Sequence, residues 1–195
     1  MAKRYDVIVV GAGPAGFLAA RAAGENGLEV ALLERKTDVT SFNRSCAQTL
    51  VSMTEYYLGN LVVLNSRDKR ISFSPEGFSL KYDGPHRNIH AWYYYAPSGH
   101  RVQLGNPEEA RKIGDLASVA VVFDKEALFR CLLEEVRARS VDVFPGINVT
   151  KVTTTPDGVK VQGGRRSFEG SYLIAADGVN SRIAQMMGFN KDRYY

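Results

Sequence analysis

The first 34 residues carry the clearest alternation of apolar and polar segments in the chain. Residues 5–10 (Tyr5-Asp6-Val7-Ile8-Val9-Val10) are a short apolar run bounded by Gly11, the pattern of a buried parallel strand. From Pro14 to Asn26, Ala15, Leu18, Ala19, Ala22 and Ala23 recur at helical spacing, and Gly27 suits the C-terminal cap. Small residues on that face allow close packing on a sheet. Glu29 to Leu33 reads as a second strand, so a right-handed strand–helix–parallel strand unit is expected.

Further along, residues 36–50 are polar and read as a loop, with a helix expected over Thr49–Leu58. Between Leu61 and Leu104 the pattern changes to short runs rich in Val, Ile, Phe and Tyr. Asn65-Ser66, Pro75, Asp83-Gly84-Pro85 and Pro97-Ser98-Gly99 break them, which is antiparallel hairpin grammar. Residues 61–105 are therefore expected to form a β-rich segment inserted into the first domain. Within it, Trp92–Tyr95 is a dense aromatic run, either core, one sheet face, or a substrate contact. Asp124 can cap a helix whose stripe is Ala127, Leu128, Cys131, Leu132 and Val136. Val141–Phe144 is a further strand, and Thr155-Pro156-Asp157-Gly158 turns a hairpin between 147–155 and 159–162. Tyr172–Ala176 is an apolar strand running into Asp177-Gly178, and Ser181–Met187 is a short helix closed by Gly188. There is no internal repeat.

The first turn is where chemistry enters. Gly11-Ala12-Gly13-Pro14-Ala15-Gly16 is a Gly-x-Gly-x-x-Gly sequence that follows a strand and opens a helix. Gly11 permits the tight turn, Gly13 lets the backbone approach a pyrophosphate, and Gly16 lets the helix pack close to the strand. The helix begins at Pro14-Ala15, so free N–H groups and the positive end of its dipole face the phosphates. Glu34, 18 residues after Gly16, is spaced to accept hydrogen bonds from a ribose. Together these predict a dinucleotide site.

Bulk properties narrow the class. The 195-residue chain is 45% hydrophobic and 24% charged, as in ordinary globular proteins. A net charge of +4 with scattered Lys and Arg argues against a nucleic-acid arm. No apolar run is long enough for a membrane span. Two cysteines, Cys46 and Cys131, make no disulfide framework, so a reducing cytoplasm is the expected compartment. The separations of His86, His90 and His100 match no metal motif.

A second motif narrows the cofactor. Ile174-Ala175-Ala176-Asp177-Gly178-Val179-Asn180-Ser181-Arg182 resembles the Asp-Gly motif of two-motif FAD proteins, the glutathione-reductase-like flavoproteins of the aromatic-hydroxylase branch. Within them the chain looks most like the geranylgeranyl reductases. Tyr94-Tyr95-Ala96-Pro97-Ser98-Gly99 resembles their Tyr-Ser-Pro-Ser-Gly hairpin, and Val122-Phe123-Asp124 with Leu128 resembles their Phe-Asp-x-x-Leu helix entry. Arg44-Ser45-Cys46 falls where that family has a Cys-Gly-Gly segment beside the flavin. Three departures stand out. Ala47-Gln48 replaces the two glycines, Val119–Val122 occupies a place where relatives carry a flavin-contacting Arg, and Gly114-Asp115 is not the family's later Gly-Asp motif. The resemblance makes this the N-terminal portion of a longer flavoprotein.

The resemblance implies an α/β fold: a Rossmann-like FAD-binding domain with a parallel sheet and inserted antiparallel β hairpins. It implies FAD held by Gly11, Gly13, Pro14, Ala15, Gly16 and Glu34. Arg35 lies along the adenine edge or is a solvated surface residue. Arg44 and Ser45 donate to the FAD phosphates or ribityl chain, or belong to an exposed loop. Asp177 with Gly178 makes a later cofactor contact, or Asp177 caps the following helix. Cys46 is the one candidate reactive side chain. The implied reaction is hydride delivery from reduced flavin to a C=C bond of a small apolar, isoprenoid-type substrate. Electrons come from NAD(P)H or a redox partner, and membrane contact is at most peripheral. The alternatives are a flavin-dependent monooxygenase or halogenase, and a dinucleotide-binding module without turnover.

Overall fold

The apolar run at the start of the chain folds as β1, Arg4–Val10, and is followed by α1, Pro14–Glu25, and β2, Val30–Leu33. The middle of the chain adds strands β3 Thr49–Val51, β4 Leu61–Asn65, β5 Arg70–Ser74, β6 Phe78–Lys81, β7 His86–Ile89, β8 Trp92–Tyr95 and β9 Arg101–Leu104. Then come α2, Pro107–Ile113, a 3-10 turn over Gly114–Ala117, β10, Ala120–Phe123, and α3, Lys125–Arg137. The chain closes with β11 Val141–Phe144, β12 Val149–Thr155, β13 Gly158–Gly163, β14 Arg166–Ala175 and α4 Arg182–Met186. The structure, a computed structural model, describes residues 3–42, 48–51, 61–74 and 77–189. They divide into two compact units, one made of residues 1–41 and 132–195, the other of residues 42–131.

The first unit is built on a six-stranded sheet in the order β11-β2-β1-β14-β13-β12. Its first four strands are parallel, with Val7 opposite both Val30 and Tyr172, and Val30 opposite Val141. The β12–β13 and β13–β14 pairs are antiparallel. The central place of β1 explains its composition: Val7 to Val10 are buried on both faces, so the run is continuous rather than alternating. One face packs Ile8, Val10, Ala31 and Leu33 against Ile147, Val161, Phe168 and Ile183. Full burial of a side chain such as Ile8 or Leu33 stabilises the fold by about 1.5–3 kcal/mol. Asp6 lies at the entrance of the sheet, where its carboxylate accepts the Glu29 N–H at 2.8 Å.

Two expectations change in this unit. The buried positions of α1 are Gly16, Phe17 and Ala20, whereas Ala15 and Ala22 are exposed. Alanines surround the helix on all sides, so their spacing does not mark the buried face; the close approach at Gly16 does. Strand β14 also starts well before Tyr172. Its polar first half is held by β13 on one side and β1 on the other, with Glu169 opposite both Lys160 and Arg4.

In the second unit the hairpin segment divides among three sheets: β4-β5-β6, the isolated pair β8-β9, and β3-β10-β7. Residues 49–51 are the strand β3, paired antiparallel with β10 across Thr49–Val122, and not the start of a helix. Residues 52–60 lie outside the described part. In β8, Tyr93, Tyr94 and Tyr95 are exposed, so this run is strand surface and not core. The Asp124 cap is as expected: its Oδ1 accepts the Ala127 N–H at 2.9 Å. The α3 stripe of Ala127, Leu128, Cys131, Leu132 and Val136 is buried.

Candidate functional site

Both glycine-containing motifs end at one edge of the first unit's sheet, at the carboxyl ends of the neighbouring strands β1 and β14. Ligands of open α/β sheets sit outside such an edge. The three glycines of the first motif do different work there. Gly11 has φ +103°, and a Cβ on it would overlap the Ala176 carbonyl oxygen and fall 2.9 Å from Asp177 Cα. Gly16 faces the turn itself, because a Cβ there would overlap the Gly11 carbonyl oxygen. Gly13 has no atom within 4 Å of where its Cβ would be. Two glycines are therefore required by the protein's own packing, and the middle one leaves open space.

The start of α1 is prepared for an anion. Gly13 is its N-cap, Pro14 occupies the first turn, no side chain caps it and no acidic residue lies in that turn. Pro14 and Ala15 are exposed. Uncapped N–H groups and the positive end of the helix dipole are what a phosphate requires.

Glu34 directly follows β2 and is only 9% exposed. Its Oε2 accepts the Ala12 N–H at 2.7 Å and its Oε1 accepts the Lys36 N–H at 2.8 Å. The carboxylate therefore ties the glycine turn to the exit of β2. Each oxygen keeps a lone pair for a further donor. Arg35, next to it, is exposed.

Asp177 is engaged differently. Its Oδ1 accepts the Ser181 hydroxyl at 2.5 Å, and its Oδ2 accepts the N–H groups of Arg182 at 2.8 Å and Ile183 at 3.2 Å. Ser181 Oγ in turn accepts the Ala184 N–H at 2.9 Å. The amino end of α4 is thus satisfied by side chains while that of α1 is not. Gly178 has φ +97° and open space at its Cβ position. The sequence allows Asp177 to be either a cofactor contact or a cap, and its hydrogen bonds are those of a cap. Ser181 was missed as a site residue, although Asp177 four positions earlier and Ala184 three positions later are capping spacing.

Arg44, Ser45 and Cys46 lie outside the described residues. Cys131 is buried on α3, and its thiol donates to Asp83 Oδ1 at 3.2 Å. Burial pushes its pKa up, away from a reactive thiolate. In the second unit Ser66 Oγ lies 2.9 Å from His86 Nε2 and 3.3 Å from Asp115 Oδ2. This meeting was not legible in the spacing. It is not a nucleophilic triad, because the carboxylate meets the serine and the imidazole Nδ1 faces the Gly84 carbonyl at 3.4 Å. Among the described residues no His, Cys, Asp and Glu cluster could hold a metal ion. No helix there is long and apolar enough to cross a membrane.

An uncapped helix start, open space over Gly13 and an acceptor at the end of β2 define a dinucleotide-binding α/β protein. Residues 4–193 match the FAD binding domain family, and the chain belongs to that family. It is 24% identical over 203 residues to the digeranylgeranylglycerophospholipid reductase of Methanosarcina mazei, covering 97% of this chain and 42% of the relative. With the Methanosarcina acetivorans protein of the same name it shares 26% over 191 residues, covering 95% and 40%. A geranylgeranyl bacteriochlorophyll reductase-like protein from Thermoplasma acidophilum has the same fold, with a TM-score of 0.69 at 20% identity over 99% of this chain and 44% of that one. The flavin-dependent monooxygenase PieE, solved with FAD and substrate, gives a TM-score of 0.63 at 20% identity over 95% and 32%. The chain spans about two fifths of the length of the curated relatives it matches. The residues present fit FAD: the positions a Cβ would fill at Gly13 and Gly178 are open, and the buried Glu34 offers only acceptors.

Proposed function

We propose that the first unit binds FAD across the carboxyl ends of β1 and β14. On this reading the chain is the cofactor-binding part of a geranylgeranyl-reductase-like oxidoreductase acting on a C=C bond of an apolar, isoprenoid-type substrate. The observation that carries the reading is the convergence of the Gly11–Gly16 turn and the Ala176–Gly178 turn on one sheet edge, with Glu34 bound to Ala12. The amino end of α1 takes the pyrophosphate, and Glu34 accepts the adenosine ribose hydroxyls while holding the turn. Arg35 flanks the adenine. Bound there, FAD supplies hydride transfer chemistry that no side chain of this chain can supply. NAD(P)H or a redox protein supplies the electrons.

The substrate assignment draws on the named activity of the two Methanosarcina relatives. A second reading, a flavin monooxygenase or halogenase, draws on the fold shared with PieE and with the halogenase PltM, the latter at a TM-score of 0.63. It uses the same cofactor site.

The test is a titration of the purified chain with FAD, followed by visible absorbance and flavin fluorescence, beside Gly13→Val. Saturable binding that Gly13→Val abolishes supports the site. Absence of binding, or equal binding by the variant, overturns it. Anaerobic reduction of an isoprenoid lipid by the longer protein, against oxygen uptake coupled to hydroxylation, separates the two reactions.

A further inference from the structure

The Glu34 carboxylate is held on one side by the glycine turn and on the other by a loop that closes on a lysine. We propose that Lys36 is a positioning residue for the adenosine half of a bound dinucleotide. Its ammonium gathers the Val39 and Ser41 carbonyls and so shapes the loop that follows β2, while its main-chain N–H holds the Glu34 carboxylate. This role rests on the FAD reading above for its ligand.

Three sets of contacts support it. In the first, Lys36 Nζ donates to Ser41 O at 2.7 Å and to Val39 O at 3.3 Å, and Lys36 is half-buried. Residues 36–41 form neither helix nor strand, so their carbonyls have no regular ladder to enter. A long charged side chain gives up its rotamer freedom to fold back on its own loop. The bonds it makes there are charge-assisted, which makes them stronger than bonds between neutral groups.

In the second, the loop is closed from within and its stem is fixed separately. Asp38 Oδ1 accepts the Thr40 N–H at 2.9 Å and the Thr40 hydroxyl at 2.7 Å, and Val39 is buried. Gly146 N donates to Lys36 O at 2.9 Å, and Ile147 N donates to Glu34 O at 2.8 Å. The stem is thus tied to the exit of β11, and the part left to the ammonium is the arc over residues 37–41.

In the third, Lys36 N donates to Glu34 Oε1 at 2.8 Å, while Ala12 N donates to Oε2 at 2.7 Å. The carboxylate is therefore spanned between the glycine turn and this loop. One residue serves both the acid and the arc with different atoms. Replacing its side chain removes the ammonium and keeps the N–H.

The decisive contrast uses Lys36→Met, which loses the donors, and Lys36→Arg, whose guanidinium can serve both carbonyls. Gly13→Val is the reference for the site. Three readouts are taken on the full chain: affinity for FAD, affinity for adenosine diphosphate, and ligand-free hydrogen exchange at residues 37–41 and 11–16. Adenosine diphosphate has the adenosine and the pyrophosphate but no flavin, so it reports the half of the site that Lys36 borders. Lys36→Met is expected to weaken both ligands by the same factor, about five- to tenfold, the size of effect expected for losing one net hydrogen bond. Exchange should rise at residues 37–41 and stay unchanged at 11–16. Lys36→Arg should return both affinities to within about twofold of the parent, because its donors replace those of the ammonium.

If Lys36→Met weakens FAD and leaves adenosine diphosphate untouched, the residue acts on the flavin half and the proposal falls. It also falls if exchange at 37–41 rises while both ligands bind as they do to the parent, since the clasp is then structural only. Exchange that rises equally at 11–16, or a Lys36→Arg chain as impaired as Lys36→Met, overturns it as well. If the unaltered chain binds neither ligand, yet Lys36→Met speeds exchange at 37–41 alone, the FAD reading fails and the loop-shaping role stands. Should Lys36→Met fail to fold, Lys36→Gln, uncharged and one bond shorter, takes its place in the same comparison.

Discussion

A methyl group added at Gly16 and one added at Gly13 should separate folding from binding within a single turn. At Gly16 the new Cβ overlaps the Gly11 carbonyl oxygen and lies 2.9 Å from the Gly11 carbonyl carbon. The obstacle is backbone, and Gly11 is itself held by a 2.8 Å hydrogen bond from its N–H to Leu33 O and by the end of β14. No rotamer change relieves it, so α1 must move off the sheet. Overpacking costs about 1–3 kcal/mol where side chains can yield, and this contact belongs at or above the upper end. At Gly13, φ is −80° and ψ −179°, which any residue adopts, and the methyl meets nothing within 4 Å. The reduced freedom of the unfolded chain favours alanine by about 0.4–1 kcal/mol. The poorer cap opposes it by about as much, leaving stability within about 1 kcal/mol of the parent. Urea unfolding without FAD should therefore move the midpoint down by about 1 M or more for Gly16→Ala and little for Gly13→Ala. With FAD at a hundredfold excess over its Kd, the parent should gain about 2.7 kcal/mol and Gly13→Ala much less. Equal stability of Gly16→Ala and the parent would refute the packing argument. An undiminished FAD-linked gain in Gly13→Ala would refute the use of the open space.

Other perturbations test neighbouring parts. Both partners of Glu34 are N–H donors, so Glu34→Gln sets an amide NH2 against one of them in a site only 9% exposed; a loss of about 1–3 kcal/mol is expected in urea unfolding, with weaker FAD binding. Asp142 accepts from Lys3 Nζ and Tyr5 Oη, each at 2.9 Å, and Lys3 foremost holds its pKa below the usual carboxylate range. A depressed folded pKa gives stability present above the unfolded value and lost as pH falls through the folded one, so Asp142→Asn should lessen the fall in urea midpoint below about pH 4, and an identical acid limb would contradict this. On the alkaline side, burial and then the Asp142 bond raise the Tyr5 pKa to about 12, so its contribution is complete below the unfolded value near 10 and fades as pH rises toward 12; Tyr5→Phe should remove that limb. In a Cys46→Ser background, Cys131 should react with a disulfide reagent only at the rate of unfolding, since it is buried and its pKa is raised; labelling as fast as a free thiol would show that α3 opens freely.

What the sequence disclosed of the fold depended on how self-sufficient each segment is. Strand β1 and the turn after it were legible because a fully buried parallel strand must be apolar throughout and the glycine turn can form no other way. The first half of β14 was illegible for the converse reason. Arg166 to Gly170 has no apolar pattern of its own and is strand because β1 and β13 both pair with it. Residues 49–51 likewise took their state from β10, a pairing that local preference does not encode. Helix α2 is a different case, since its signal was present. Asn106 accepts the Glu108 N–H at 3.0 Å, Pro107 opens the helix, acids fill its first turn and Arg111 and Lys112 its last. Those are ordinary start and stop signals, lying just past the 61–105 segment in a stretch where no element was expected.

The site divides along the same line. Which residues surround it was readable, because glycines forced by backbone geometry and an acid at a strand end leave a fixed spacing. What each side chain does was not. Glu34 has the spacing of a ribose ligand, yet its carboxylate accepts from its own chain's Ala12 and Lys36, so it also holds the turn that a ligand would meet. Asp177 illustrates the limit best. A carboxylate following a strand and preceding a helix can reach outward to a ligand or forward to the helix, and the same five letters, Asp-Gly-Val-Asn-Ser, serve both. The decision is made by whether the next helix finds another cap. Here Ser181 satisfies only Ala184 N, which leaves Arg182 N and Ile183 N to Asp177. Helix α1, with glycine at its N-cap and proline next, has no side chain able to do the same, and so its N–H groups are the ones left for an anion.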